Sequence, residues 1–499
     1  MREAMNDHLV LLPVLVPLTG AVVALLLRQR RRLQAGWALA TVATSLAASV
    51  WLLIRVSSSG GAVIFRPGGW PVPFGISLVG DLLSTTMVLM SQIVLTAGIM
   101  YSLGSKDQVV RYPAFYPLFL TLAAGLTGAL LTGDLFNLFV FAELLVFSGT
   151  ILTAISDDQL GTEAAFKYFY MSLLASALLL FAVGSLYVSY GTLNMADLAQ
   201  RIAVSPNAPL LPVAIALLIA TFMVKSAVFP FHFWQPDFHT ASPTAVSAML
   251  SSVVVKLGVY GFLRMTTLLF VEQAAPVRSL LVILGIAGVV YGGLGAVGTH
   301  NAKRMLAYST LAQVGFILVA IGWGTHLALA SAVVFSFNHS LSKAAMLMLA
   351  GSVASRAPIK TAAFDVIAGL GKYMPVAGLL FLVGGLALIG IPPTNGFISK
   401  MMLFRSGIEA GQFATLATVG LASVLTLVYI MRAFQRIWWQ PPLEGTKAKP
   451  GGDRLLAPAL LVAAVLLLGL WPEPLVRLAE ATATWLASPE GYIRAVLGG

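Results

Sequence analysis

Fourteen apolar runs separated by short polar breaks set the pattern of this chain. They fall near residues 8–27, 35–54, 80–103, 112–131, 135–155, 166–188, 210–231, 244–265, 279–298, 305–323, 327–352, 374–403, 411–434 and 455–475. About 20 apolar residues in a helix span the hydrocarbon core of a bilayer. The pattern therefore predicts an all-α, polytopic membrane protein with about fourteen transmembrane helices. Two runs are interrupted by proline, the seventh at Pro230 and the twelfth at Pro392 and Pro393. Proline removes a backbone donor and crowds the preceding turn, so helices 7 and 12 are expected to be broken.

Each interrupted run is the fourth member of a block of five, runs 4 to 8 and runs 9 to 13. Breaks at matching places in two halves point to repeats, and five crossings per block would invert the second in the membrane. The expected units are residues 1–111 (three helices), 112–265 and 278–437 (the two five-helix blocks) and 454–499 (the last helix and a tail). The stretch 56–79, rich in Ser, Gly and Pro, has room for a short hairpin. Residues 440–453 form the longest clear linker, and the tail after Pro474 is expected along the outer surface.

Charge gives the bundle a direction. Of 30 Lys and Arg, seventeen fall on one side of the predicted membrane and nine on the other. Cytoplasmic loops are enriched in these residues, so the richer side is inner and both termini are expected outside. A cleaved signal is not expected, because the cluster Arg28, Arg30, Arg31 and Arg32 follows the first apolar run instead of preceding it. The net charge of +11 is thus an asymmetry of loops and no sign of a nucleic-acid partner.

Composition agrees: of 499 residues 58% are apolar and only 10% charged, with a mean hydropathy of +0.90, far from the quarter or so of charged residues that covers a soluble surface. There is no cysteine, which removes disulfides, thiolate metal sites and thiol catalysis. No HExxH, phosphate-binding loop or nucleophile-elbow motif is present, so hydrolase, nucleotide-binding and redox readings lack residues to perform them.

The four remaining basic residues, Lys225, Lys256, Lys343 and Lys400, lie inside apolar runs. A charge at that depth is costly and marks a wet cavity or an ion path. Lysine can release its proton when desolvated whereas arginine effectively cannot, so the four are candidates for a proton relay, with snorkelling to an interface as the alternative. Glu143 is the one acid expected deep in the bilayer, with Lys225 its expected partner. At about 4 Å and an effective dielectric near 20 they would attract by about 4 kcal/mol; a static pair that only fixes packing is the alternative. Pro230 would then act as a hinge beside Lys225. Asp134 opens the fifth run and reads as a helix cap. His339 and Lys343 are four residues apart and share a helix face. His232 and His239, in FHFWQPDFH, read as interfacial or proton-access residues; no metal site is expected.

Several segments carry a resemblance: TGDLFNLFVFAE (132–143), KSAVFPFHFW (225–234), VVVKLGVYGFLR around Lys256, KRMLAYSTLAQVG (303–315), NHSLSKAAMLML (338–349) and GIPPTNGFISK (390–400). In this order, over nearly the whole chain, they resemble the antiporter-like subunits shared by Mrp-type cation/proton antiporters and respiratory complex I. The resemblance implies fourteen helices with inverted five-helix repeats and no prosthetic group. It also implies work only with other subunits of a hetero-oligomeric complex in a bacterial cell membrane, with H+ and Na+ or K+ as cargo. It would make Glu143 and Lys225 the ion pair, Lys256 the central lysine, His339 and Lys343 the relay on helix 11, and Lys400 the terminal lysine. Two departures stand out: His300 and Asn301 replace an acidic residue common before Lys303, and Ala245 replaces a proline. A subunit of complex I or of a membrane-bound hydrogenase is the nearest rival, and a non-conducting scaffold the rival of another class.

Overall fold

The computed structural model describes residues 8–155, 158–359, 361–442 and 448–498. Arg2, Lys360 and Lys447, counted in the charge asymmetry, and part of the linker 440–453 lie outside them. Each predicted run falls on helix. In order these are α1 (His8–Leu26), α2 (Arg31–Ser59), α3 (Leu82–Gly104), α4 (Phe115–Leu131), α5 (Leu135–Ala154) and α6 (Gln159–Tyr190). The short amphipathic α7 (Met195–Val204) precedes α8 (Leu211–Lys225), α9 (Trp234–Ala241) and α10 (Thr244–Leu269). Then come α11 (Ala274–Gly298), α12 (Ala302–Trp323), α13 (His326–Ala354), α14 (Pro375–Ile389), α15 (Asn395–Glu409) and α16 (Phe413–Trp439). The chain ends with α17 (Leu456–Leu470), α18 (Glu473–Leu486) and α19 (Pro489–Leu497).

Among the described residues ten helices are long and apolar enough to cross a membrane, or eleven counting α17 with α18, which bend by 78° at their junction. The other three apolar helices, α4, α8 and α14, have 17, 15 and 15 residues. Two of them are short because their runs are broken: α8 stops at Lys225 and resumes as α9, and α14 stops at Ile389 and resumes as α15. The fourteen runs are thus not fourteen full-length spans: among the described residues the twelfth alone covers α14 and most of α15. Pro230 is not a kink within a helix: the helix has already ended at Lys225, Ala227 takes a positive φ of 51°, and Pro230 sits in the connecting turn.

Two junctions repeat one design. Asp134 caps α5, its Oδ1 accepting from Asn137 N–H at 2.8 Å. Beside it Leu135 N–H donates to Leu193 O and Met195 N–H to Gly133 O, at 3.0 and 2.8 Å. In the second block Asn301 caps α12, its Oδ1 accepting from the N–H groups of Lys303 and Arg304. There Ala302 N–H donates to Ala362 O and Phe364 N–H to His300 O, at 2.9 and 2.8 Å. Asn301 is therefore no defect: asparagine caps as well as aspartate does.

The interior helices are α10 and α13, whose apolar windows are fully enclosed, with α3 and α12 nearly so. The stretch 56–79 does contain a hairpin, Val63–Phe65 antiparallel to Leu78–Gly80. α17 packs on α13 and α3, and α18 on α13, so the tail does more than lie along a surface. It reaches a buried ion pair that the hydropathy pattern conceals. Asp81 (0% exposed) caps α3 in a reciprocal box with Ser84 and takes both Arg264 guanidinium nitrogens at 2.8 Å. Trp485 of α18 donates its indole N–H to the same carboxylate at 2.9 Å, and Tyr260 and Tyr492 stack on Arg264. Arginine is thus also deep inside, at 3% exposure, and Asp81 is enclosed more completely than Glu143, the one acid expected at depth. The bidentate fork explains the choice, since a desolvated guanidinium must be paired.

Candidate functional site

Glu143 lies in the third turn of α5 and is half-buried. It does not touch Lys225 directly. Ser176, on α6, stands between them: the Lys225 ammonium donates to Ser176 Oγ at 3.4 Å, and the Ser176 hydroxyl donates to Glu143 Oε1 in a short hydrogen bond. A hydroxyl both accepts and donates, so ammonium, hydroxyl and carboxylate form one directed chain.

The break after α8 places Lys225 at a helix end against α10. The close approach requires Gly258, where a Cβ would collide with Ser226 Oγ and lie 2.5 Å from the Phe222 carbonyl. Lys256, two residues before Gly258, opens the α-helical part of α10 just past a π-helical turn over Leu250–Val254 and turns toward α13 instead. Such turns widen the backbone ladder and recur at functional sites. The Ser252 carbonyl inside this turn accepts from Lys256 Nζ at 3.0 Å and from Ser340 Oγ at 2.9 Å. Lys256 Nζ also meets His339 Nδ1 in a short contact, while His339 Nε2 is buried with no protein partner.

One turn along α13, Lys343 donates to Leu306 O at 3.1 Å and to Ser309 Oγ at 2.7 Å, both on α12. Ser309 Oγ lies 2.7 Å from the Tyr429 hydroxyl of α16. Gln313 lies alongside Tyr429 and reaches the Leu388 carbonyl at 3.4 Å, near the end of α14. There Lys400 donates to Ile389 O at 2.7 Å, with Nζ 5.0 Å from the centre of the Phe316 ring. A helix C-terminus offers unpaired carbonyls and a negative dipole end, a natural seat for an ammonium. Gly390 makes the approach possible: it turns with φ +90°, and a Cβ there would press on the Lys400 stem. Pro392 and Pro393 lie in the break between α14 and α15, two residues past the Gly390 turn.

The structure joins these residues in groups: Glu143 with Lys225 through Ser176, Lys256 with His339 and Lys343 one turn further along α13, and Lys400 at the end of α14. Ser176, Ser309, Tyr429 and Gln313 stand between them and escaped the sequence reading, because a serine or tyrosine in an apolar run carries no sign of what it faces. Ser309 and Gln313 do lie in KRMLAYSTLAQVG, which offered the one available signal. His232 is buried against Phe229 and Tyr291. His239 is fully enclosed, its Nδ1 3.4 Å from Ser247 Oγ. Neither is an open surface group. Among the described residues no cluster of three potential metal ligands exists.

A polytopic helical membrane protein whose interior holds buried lysines bonded to hydroxyl, imidazole and carbonyl groups is the class these features define. Residues 132–426 match the family described as NADH:quinone oxidoreductase/Mrp antiporter, TM, and this chain belongs to it. It is 31% identical over 98% of its length to the D-type component of the Na(+)/H(+) antiporter of Bacillus subtilis, covering 99% of that relative. It is 34% identical to the NADH-quinone oxidoreductase subunit N of Desulforudis audaxviator, over 93% of this chain and 95% of that one. Among solved structures it is similar to a chain of the Mrp complex from Dietzia sp. DQ12-45-1b, with a TM-score of 0.90 and 29% identity, covering 99% of this chain and 100% of that one.

Proposed function

We propose that this chain is the proton-translocating, D-type component of a multisubunit monovalent cation (Na+ or K+)/H+ antiporter, working with other subunits in a bacterial cell membrane. Protons move along Glu143, Ser176, Lys225, Lys256, His339, Lys343 and Lys400, and both termini lie outside. The observation that supports this most is the burial of four lysines, with Lys225 tied to Glu143 through Ser176, Lys256 to His339, and Lys343 to Ser309 and Tyr429. Amines held by neutral carbonyls and hydroxyls carry charge at a cost, so a proton arriving at one favours moving the next. The Glu143–Ser176–Lys225 chain is the switch, holding a proton on Lys225 when closed and freeing it when the hydroxyl turns away. His232 and His239 serve access to this line, and Asp134 holds the start of α5. Antiport measured in vesicles with assembly confirmed tests the reading: Lys225→Ala and Glu143→Ala should each abolish it, and near-normal activity in both refutes it.

The similarity to an NADH-quinone oxidoreductase component supports a second reading, a proton-pumping member of complex I or a membrane-bound hydrogenase. Neighbouring genes decide between them: other antiporter subunits, or quinone- and iron–sulfur-binding ones. A scaffold that conducts nothing predicts full transport with all four lysines changed to methionine.

A further inference from the structure

The linker that follows α16 returns one carboxylate to the bundle. Asp453 is buried, yet Gly451, Arg454 and Lys106 around it are at least partly open to solvent. Its Oδ2 accepts from the Tyr101 hydroxyl at 2.5 Å, its Oδ1 accepts from Lys106 N–H at 2.7 Å, and its own N–H donates to Ser355 Oγ at 3.0 Å. Tyr101, enclosed on α3, lies beside the hydroxyl of Thr244, the first residue of α10, and 3.4 Å from Ser352 Oγ of α13.

One turn further along α10, Ser247 faces His239, and residues three apart lie on one helix face. The imidazole of His239 feels the charges of both Lys343 and Lys303, and Lys303 in turn acts on Asp453. Its Nε2 meets no protein partner, the kind of position at which an ordered water completes a polar chain. Burial pushes the Asp453 carboxyl up from its ordinary value and Asp107 adds to this, while Tyr101, Lys106 N–H and Lys303 oppose it. Arg356 lies against the neighbouring Gly452.

We propose that Asp453 is the inner-side proton port of this chain, exchanging protons between inner-side water and the relay through Tyr101, Thr244, Ser247 and His239 to Lys343. This rests on the proposed relay and on its inner-side orientation. Each hydroxyl gives up one proton as it accepts another, so only Asp453, His239 and Lys343 change charge. A clasp that merely fixed the linker would need no titratable group, since an amide could make the same bonds.

Asp453→Asn makes that distinction, because its amide can accept from Lys106 N–H and donate to Tyr101 while holding no exchangeable proton. Antiport by the assembled complex in inverted vesicles should slow about tenfold or more. A small weak acid such as azide should restore part of the rate, and Asp453→Glu should retain most of it. Tyr101→Phe should slow antiport without such rescue. A rate within twofold of the parent in Asp453→Asn, or a slowed rate that azide leaves unchanged, overturns the port. If Asp453→Asn fails to assemble, Tyr101→Phe decides, and a rate within twofold of the parent overturns it. Lys225→Ala, run alongside, separates the two readings: an active Lys225→Ala refutes the relay, whereas an inactive Lys225→Ala with a normal Asp453→Asn refutes only the port.

Discussion

Replacing Ser176 tests whether the hydroxyl between Glu143 and Lys225 is a working part of the relay. With Lys225 Nζ 3.4 Å from Ser176 Oγ and the hydroxyl in short contact with the carboxylate, ammonium and carboxylate stand on the order of 5 Å apart. At an effective dielectric near 20 that leaves about 3 kcal/mol of direct attraction, whether or not the hydroxyl is present. What the hydroxyl adds is hydrogen bonding to two charged groups, worth about 1.5–3 kcal/mol, and an unbroken route for the proton. Ser176→Val and Ser176→Thr have nearly the same shape and differ in that one group. Taking about 2 kcal/mol as the loss, antiport should fall roughly thirtyfold in the valine variant and remain near the parent in the threonine variant. The measurement is cation-driven collapse of a pH gradient in inverted vesicles, with equal amounts of assembled complex. A valine variant within twofold of the threonine one refutes the reasoning and returns the pair to plain Coulomb attraction.

Two further outcomes follow from the buried polar groups. Arg264→Met strands the Asp81 carboxylate and should lower stability by about 3–5 kcal/mol, read as faster thermal loss of the assembled complex. Adding Asp81→Asn, which keeps the cap of α3, should recover much of the loss. Asp453 holds its proton more tightly folded than unfolded, so its contribution to stability should fall as pH rises from its ordinary 3.8 through the raised folded value and be flat above it. Thermal stability of Asp453→Asn against pH should lack that step, and at neutral pH the variant should be no less stable than the parent.

Much of this protein was legible along its chain. Periodic apolar runs placed every long helix, because in a bilayer each backbone polar group must be satisfied within its own segment. Prolines 230, 392 and 393 marked both breaks, and the lysines announced themselves by sitting where a charge is expensive. Asp134 read as a cap from the local pattern alone, since capping is settled within four residues, whereas Asn301 stood out along the chain only as a departure and the structure shows it capping α12.

Partners across the bundle could not be read in this way. Asp81 and Arg264 sit at run edges, where hydropathy makes them look like loop residues; only the approach of α3, α10 and α18 makes them a buried pair. The same holds for Ser176, Ser309 and Tyr429, each an ordinary polar residue until packing sets it between two charges. The sequence by itself determined the class of protein, the helices and the costly side chains, because membrane depth acts on each segment separately. Which group meets which was decided by the tertiary structure, because a hydrogen bond depends on distances of about 3 Å between helices far apart in the chain.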